Sequence, residues 1–561
     1  MTRPKIWPRP AHLWVLAIIF LSCISALRVY AQEKSRRLES KYNGSGSCSA
    51  SGCHGGAQIT DIDTRKTTAT HVWQNESFIW TTQDPHFKAF STLQTTRSKK
   101  IWQILKESAR QSGNQSKYNA SLPENEPQCL GCHALKPEHD LQARLVFPEG
   151  VSCESCHSAS SLWFESHFQR QKNQKNTDRC LNTTNTEASI RCGLYPMRDA
   201  VKRSERCLEC HVGTEKYEVD HELIAAGHPD LLFELDIFSA RMPRHWATPN
   251  ELHEVCDNMP KDSNYEARLW AVGQAVQLRE VLKRLARRAE RAQVAYEKNR
   301  KEPLKWPELS ELDCFSCHHS VYSNAVDPGY DRYAPNSHPK GFDSWRQTRG
   351  YENRAAGSPP WNSAHYSIFR ILLKAIDRDD RDENTLENQW PDLLQVASRL
   401  NSSPENIAEV AQKSREAANL AANLVEKVAS RFKPAPEADK PLLRKIMLQI
   451  SAGAVDIANK DTRTAEQAYM ALDSLFRSYA GIKTGEPLDN SKDAPHKLVG
   501  RKIEALYQLF DNPSAYDGRR FTEAMQQVHD ALMNTSEVAL KKPSQSRIAR
   551  KLQIRQPHSA N

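Results

Sequence analysis

Four copies of the pentapeptide Cys-x-x-Cys-His constrain this chain more than any other feature. The copies begin at Cys129, Cys153, Cys207 and Cys314, and a widened version with four residues between its cysteines begins at Cys48. In the attachment of c-type haem, the two thiols form thioethers with the porphyrin and the adjacent histidine ligates the iron. The pattern therefore predicts five covalently attached haem c groups.

The predicted attachment residues are ten cysteines and five proximal histidines. The thioether cysteines are Cys48, Cys53, Cys129, Cys132, Cys153, Cys156, Cys207, Cys210, Cys314 and Cys317. The proximal iron ligands are His54, His133, His157, His211 and His318. Tetrahedral zinc is the alternative for paired cysteines, but zinc does not require a histidine directly after every second cysteine. Because histidine makes up only 20 of 561 residues, its presence in all five copies favours haem.

The N-terminus resembles an export signal. A basic lead precedes an almost wholly apolar run from Leu13 to Val29, and small residues before Gln32 resemble a cleavage site. Residues 1–31 are therefore expected to be a cleaved signal peptide, or an uncleaved membrane anchor within residues 12–31. Both alternatives predict a periplasmic or other extracytoplasmic protein, which agrees with the compartment in which bacterial haem c is attached.

Three cysteines remain outside the motifs and the leader, namely Cys180, Cys192 and Cys256. In an oxidising compartment, two of the three are expected to form a disulfide, with Cys180 and Cys192 favoured and Cys256 as the competing partner. The formal net charge of +9 suits acidic redox proteins or membrane headgroups as partners. No nucleic-acid recognition motif accompanies this charge, and the sequence predicts no nucleic-acid partner.

Histidines outside the motifs are the candidates for the second axial position of each iron. His86 follows Asp84 and Pro85, which favour a helix start, and His228 follows Gly227 at a predicted chain corner. The predicted distal ligands are His86, His167, His228, His245 and His365. His221, His319 and His338 are open alternatives.

These motifs together resemble a known family. The Asp84-Pro85-His86 segment, the block from Gly150 to His157 and the block from Ala226 to Leu235 are interleaved with the haem motifs. This arrangement resembles the cytochrome c-554 (cytochrome c-552/4) family of tetrahaem electron carriers over about residues 42–246. The resemblance implies a mostly helical fold, haems in packed pairs and irons ligated by two histidines, and it allows for one iron without a distal ligand.

Helical periodicity dominates the chain beyond residue 260. Residues 266–301 predict one long helix whose basic face is expected to be solvated. Amphipathic segments after Tyr366 predict a bundle of five or six helices, over residues 391–400, 404–429, 439–457, 463–480, 497–512 and 520–534. The expected fold is mainly α, a multihaem cytochrome c with irregular loops around packed haems followed by a C-terminal helical bundle. The expected domains are residues 1–31 (leader), 32–260 (tetrahaem), 261–370 (long helix and fifth motif), 371–540 (helical) and 541–561 (basic tail).

The sequence thus predicts an exported pentahaem cytochrome that carries single electrons between a donor and an acceptor protein, with no catalytic residue assigned. One alternative is a redox enzyme that acts on hydroxylamine, nitric oxide or nitrite at a five-coordinate haem. A structural subunit of a larger respiratory complex is a third. Pentahaem nitrite reductases often mark their catalytic haem with Cys-x-x-Cys-Lys, and this chain has no such motif.

Overall fold

The structure is a computed structural model of the chain. It describes residues 41–51, 53–56, 75–135, 147–165, 193–255, 260–298, 306–312, 314, 361–362, 364, 366–376, 403–460, 462–491, 493–511 and 516–535. Regular structure in these ranges is helical, and no β-strand occurs among them. The expectation of a mainly α fold is confirmed.

The α-helices are numbered here in chain order. They are α1 (Glu76–Gln83), α2 (Ala89–Leu93), α3 (Thr96–Gln111), α4 (Pro127–His133), α5 (Cys153–His157), α6 (Ala200–His211), α7 (His221–Ala225), α8 (Leu235–Arg241), α9 (Pro249–Val255), α10 (Tyr265–Glu297), α11 (Ser367–Ile376), α12 (Pro404–Arg431), α13 (Lys440–Ala452), α14 (Ala454–Lys460), α15 (Thr462–Ala480), α16 (Ala494–Tyr507) and α17 (Gly518–Asn534).

The chain forms two compact units. The first comprises Met1–Leu312 and Gln389–Pro436, and the second comprises Asp313–Asn388 and Glu437–Asn561. The first unit therefore includes the first four haem motifs, α10 and α12. The domain boundaries that the sequence suggests, near residues 260, 370 and 540, stay a prediction.

The long helix α10 is the centre of the first unit. It runs for 33 residues and packs against α6, α8 and α12. Trp270 and Leu282 on this helix are fully buried. At Gly273, an added Cβ would lie 2.7 Å from the Cβ of Leu235, so the glycine lets α8 approach α10 closely. The apolar stripe read from the sequence thus faces partner helices, as its period predicts.

The sequence predicts that the basic face of α10 is solvated, and this prediction is wrong for Arg284 and Arg288. Both side chains are buried and pair with the buried carboxylate of Glu311, at 2.9 Å from Arg284 Nε and 2.7 Å from Arg288 Nη1. Arg288 also bonds Glu218 at 3.0 Å, and Arg284 donates to the Val212 carbonyl at 3.2 Å. Solvation is lost because the loop after the fourth motif and the segment before the fifth both fold onto this face.

The described part of the second unit is a bundle of helices, α11 and α13–α17. Its core contains the fully buried side chains Ile446, Phe476, Ile503 and Phe521. The sequence predicts one helix over residues 439–457, whereas the chain breaks it at Gly453 into α13 and α14. None of the helices in the described ranges of either unit is long and apolar enough to cross a membrane, and residues 12–31 lie outside those ranges.

Candidate functional site

Three haem motifs lie on helices. The second motif ends α4, the third forms α5 and the fourth ends α6. In each helix, the cysteines at i and i+3 and the histidine at i+4 share one face. The helix starts are fixed locally, since Pro127 occupies the first turn of α4 and Asp199 accepts from the Lys202 N–H at 3.0 Å to cap α6. The local sequence therefore presents two thiols and an imidazole together.

The widened first motif also closes on itself. The backbone N–H of His54 donates to the carbonyl oxygen of Cys48 at 3.2 Å. Gly55 permits this return, because an added Cβ would collide with the carbonyl oxygen of Ser49. The chain thus brings His54 back beside Cys48 despite the wider cysteine spacing.

One large cavity in the first unit connects these four motifs. Its volume is about 1210 Å³, above the usual range of about 300–1,000 Å³ for a site that holds one small ligand. Aromatic side chains such as Trp80, Trp163 and Phe233 line it. The thiols and imidazoles on its wall are those of Cys48, Cys129, Cys132, Cys153, Cys156, Cys207, Cys210, His54, His86, His133, His157, His211, His228 and His245. Paired thiols, imidazoles and an apolar lining are the donor set and surroundings that haem c requires, so these residues fit the cofactor.

Thiols from different motifs are neighbours in this cavity. Cys48 hydrogen-bonds to Cys153, and this contact lowers the pKa of the Cys48 thiol to about 7 while raising that of Cys153. Cys132 hydrogen-bonds to Cys210 in the same way, which lowers the pKa of Cys132. The attachment points of the first and third motifs are therefore adjacent, as are those of the second and fourth.

His133 and His228 face each other across the cavity. Their ring centroids are 6.3 Å apart and their ring planes are inclined by 81°. His133 Nδ1 bonds the carbonyl oxygen of Ala89 at 2.9 Å, and His228 Nδ1 bonds that of Pro229 at 2.7 Å. Both Nε2 atoms are therefore available as metal ligands. His133 and His228 would together hold a metal placed between these two atoms.

His86 and His211 form a second candidate pair. The buried carboxylate of Asp84 holds His86 Nδ1 at 2.9 Å and leaves His86 Nε2 available. Burial, together with the smaller effect of the nearby His86, lowers the pKa of the His211 imidazole to about 4. His211 is therefore neutral at physiological pH, which is the form that ligates a metal.

His54 and His245 form a third candidate pair. Glu76 bonds His54 Nδ1 at 3.0 Å, and this hydrogen bond raises the pKa of the imidazole. Burial lowers the pKa of the His245 imidazole; Asp84 opposes this shift, and Arg203 and His54 add to it. His245 thus lies close enough to His54 to act on it electrostatically, within the same cavity.

Residues 69–158 match a family model described as cytochrome c554 and c-prime. This part of the chain is similar to the cytochrome c554 family. No curated protein and no solved structure matches the chain. A cytochrome c554 family protein is a c-type cytochrome of electron transfer with covalently bound haem c. Such proteins exchange electrons with redox partners and are typically extracytoplasmic.

The cytochrome c554 match covers α1 to α5, with the second and third motifs and the distal candidate His86. Other predicted site residues lie beyond it. His228 and His245 are brought to the shared cavity, whereas the side chain of His221 does not line it. Cys314 is half-buried. The predicted residues that lie outside the described ranges are His167, His318, His365, Cys317, Cys180, Cys192 and Cys256.

Sequence reasoning missed the groups that orient the imidazoles. Glu76 bonds a histidine 22 residues earlier in the chain, and His133 bonds a backbone carbonyl of α2. A carboxylate in the first turn of a helix is common as a partner of the helix dipole, so Glu76 carries no signal of this contact. A backbone carbonyl carries no sequence signal at all. Both contacts depend on tertiary packing.

Gly150 connects the third motif of the cytochrome c554 region to the segment of His86. Its φ is +67°, and an added Cβ would lie 2.6 Å from the carbonyl oxygens of both His86 and Phe87. We expect Gly150→Ala to displace His86 and to cost about 1–3 kcal/mol from backbone strain alone. Loss of one low-spin signal in electron paramagnetic resonance, together with a lower urea midpoint, would report both effects.

Gly113 supplies the matched control for that substitution. Its φ is +72°, but no atom lies within 4 Å of an added Cβ. Gly113→Ala should therefore lower stability through the same backbone strain and leave every iron signal unchanged. Equal spectra for the two variants would show that Gly150 does not position His86.

Proposed function

We propose that the protein is an exported c-type cytochrome with five covalently attached haems that passes single electrons between redox partner proteins. Each haem iron alternates between ferric and ferrous states and so accepts and releases one electron. The geometry of His133 and His228 carries this proposal. Their 6.3 Å centroid separation suits two ligands of one iron, and each Nδ1 is already occupied by a carbonyl. An iron ligated on both sides has no position for a substrate, which favours electron transfer over catalysis.

The thiols and imidazoles then have defined roles. In each motif the two cysteines attach the macrocycle and the following histidine is the proximal ligand. The ring contact of His133 with His228 supports one axial pair, and electrostatic effects within the cavity support two more, His54 with His245 and His211 with His86. For the remaining two haems we propose His157 with His167 and His318 with His365, on the sequence pattern. The hydrogen bonds to Nδ1 of His54, His86, His133 and His228 orient these four imidazoles and would make each Nε2 more basic.

The adjacency of thiols supports an arrangement of the first four haems. Cys48 contacts Cys153 and Cys132 contacts Cys210. The first and third haems would thus form one close pair, and the second and fourth another. Because all four motifs line one cavity, an electron that enters at any of these haems has the others within a short distance.

Compartment and partners follow from charge and from the N-terminus. The apolar run in residues 12–31 would direct export, and it would also anchor the protein if it is not cleaved. The net charge of +9 would attract acidic redox proteins as donor and acceptor. The C-terminal helices carry no haem motif, and we propose that they serve contacts with such partners.

Haem quantification with spin-state spectroscopy tests this function. We expect five haems per chain in the pyridine haemochrome assay and only low-spin ferric signals in electron paramagnetic resonance. Four or fewer haems would contradict the pentahaem assignment. A high-spin signal that responds to nitric oxide or hydroxylamine would instead support an enzyme with one five-coordinate haem.

A further inference from the structure

Two arginines on the cavity wall have no carboxylate partner among the residues that the structure describes. Arg198 precedes α6 and Arg203 lies in its first turns, just before the fourth haem motif. Arg203 is only 8% exposed, whereas Arg198 is exposed to the open space of the cavity. Neither forms an ion pair with a described side chain, although both line a cavity in the interior of the first unit.

The contacts of Arg203 are all with neutral groups. Its Nε donates to the carbonyl oxygen of Met197 at 2.8 Å, and its Nη1 donates to the hydroxyl of Tyr265 at 3.4 Å. The guanidinium lies over the ring of Trp246 at 5.0 Å. These contacts fix the orientation of the group but do not balance its charge. A guanidinium has five N–H donors, so further donors remain for a ligand in the cavity.

Arg198 and Arg203 are close to each other, so the positive charge without a partner is that of two groups. Burial and the charge of Arg203 both lower the pKa of Arg198, which means that each cation disfavours the other. Arg203 also acts electrostatically on the thiol of Cys207 and on His245. A cation removed from bulk water, as Arg203 is, is costly unless an anion joins it.

Among the described residues, the carboxylates on the cavity wall have partners other than Arg198 and Arg203. Glu76 bonds a histidine of the first motif, and Asp84 bonds His86. Glu154 accepts from the backbone N–H groups of Gly44 and Ser160 at 2.8 and 2.7 Å. Glu209 pairs with Arg206 at 3.0 Å. The second oxygen of Asp84, Oδ2, has no hydrogen-bond partner, but no carboxylate among the described residues pairs with Arg198 or Arg203. Both cations can therefore accept an anion that comes with a ligand.

We propose that Arg198 and Arg203 bind a propionate carboxylate of the haem attached at Cys207, and that their charge raises the reduction potential of that haem. This inference rests on the proposed function, because it requires haem in the cavity. A guanidinium suits a carboxylate through two parallel hydrogen bonds. A fixed cation beside the porphyrin disfavours the extra positive charge of ferric iron relative to ferrous iron. Both arginines are positioning residues, since neither ligates the metal.

The test compares Arg203→Gln, Arg203→Lys and Arg198→Gln with the parent protein by spectroelectrochemical titration. Each glutamine variant should raise the ferric-to-ferrous ratio of one haem about tenfold at a fixed ambient potential, equivalent to about 59 mV for one electron. Arg203→Lys keeps the positive charge, so the midpoint potential of that haem should stay close to the value in the parent protein. Infrared difference spectra should show a shifted propionate carboxylate band in the glutamine variants only.

Lys202→Gln is the matched control. Lys202 is the neighbour of Arg203 on α6, but its side chain is 39% exposed and it pairs with Glu205 at 2.9 Å. Its loss should leave every midpoint unchanged. Unchanged midpoints in both glutamine variants, or an equal shift in Lys202→Gln, would overturn the propionate site. The haemochrome assay separates the two proposals, because a parent protein that lacks haem contradicts the proposed function itself.

Discussion

Replacing His228 with leucine is expected to convert one low-spin haem into a five-coordinate, high-spin haem. The substitution removes the imidazole that faces His133 at a centroid separation of 6.3 Å. The haem itself should remain, since the thioethers to Cys129 and Cys132 and the ligand His133 are untouched. Electron paramagnetic resonance should show a new high-spin ferric signal and one fewer low-spin signal. The reduced variant should also bind carbon monoxide at one site, which the parent protein should not.

A nearby histidine provides the control for this experiment. The sequence offers His221 as an alternative to His228 as a distal ligand, but the side chain of His221 does not line the cavity that connects the first four motifs. His221→Leu should therefore keep every low-spin signal and bind no carbon monoxide. An unchanged spectrum in His228→Leu, or a high-spin signal in His221→Leu, would show that the assignment of the distal ligand is wrong.

Glu311→Gln is expected to cause the largest loss of stability of any single substitution described here. The carboxylate is 2% exposed and balances two buried guanidinium groups, Arg284 and Arg288. Breaking a buried ion pair by removing one partner costs about 3–5 kcal/mol, because the remaining charge stays in the interior. We expect a lower urea midpoint for unfolding of the first unit, measured both by haem absorbance and by helical circular dichroism. The number of haems per chain should not change.

Glu107→Gln is the surface counterpart. Glu107 pairs with Arg110 on α3, and the two side chains are 48% and 63% exposed. Solvent screens such a pair, so the urea midpoint should stay within the error of the measurement. If Glu311→Gln is as stable as Glu107→Gln, the buried network does not hold the segment before the fifth motif onto α10.

Features that depend on neighbours in sequence could be predicted from this chain. The long helix expected over residues 266–301 is observed as Tyr265–Glu297, and the one expected over residues 404–429 is observed as Pro404–Arg431. Their apolar periodicity and the Ser403-Pro404 start fix them locally. The proximal histidines are equally local, since each follows its cysteine directly. Such features need no knowledge of tertiary packing.

Features that depend on distant residues could not be predicted in the same way. Nothing in the sequence indicates that His228 should face His133 rather than another motif, because the chain between them turns several times. The same holds for Arg284 and Arg288, which carry the pattern of a solvated face but are covered by segments distant in sequence. In both cases the decisive contact joins residues that no periodicity relates.

The thiol contacts between motifs also bear on how the protein is assembled. Cys48 lies within hydrogen-bonding range of Cys153, as does Cys132 of Cys210. Thiols this close are readily oxidised to disulfides in an oxidising compartment, and each such bond would consume one thiol from two different haem motifs. On the proposed function, we therefore expect haem to be attached before the chain folds, or while its thiols are kept reduced. The order of maturation would then be a condition for reaching the native state.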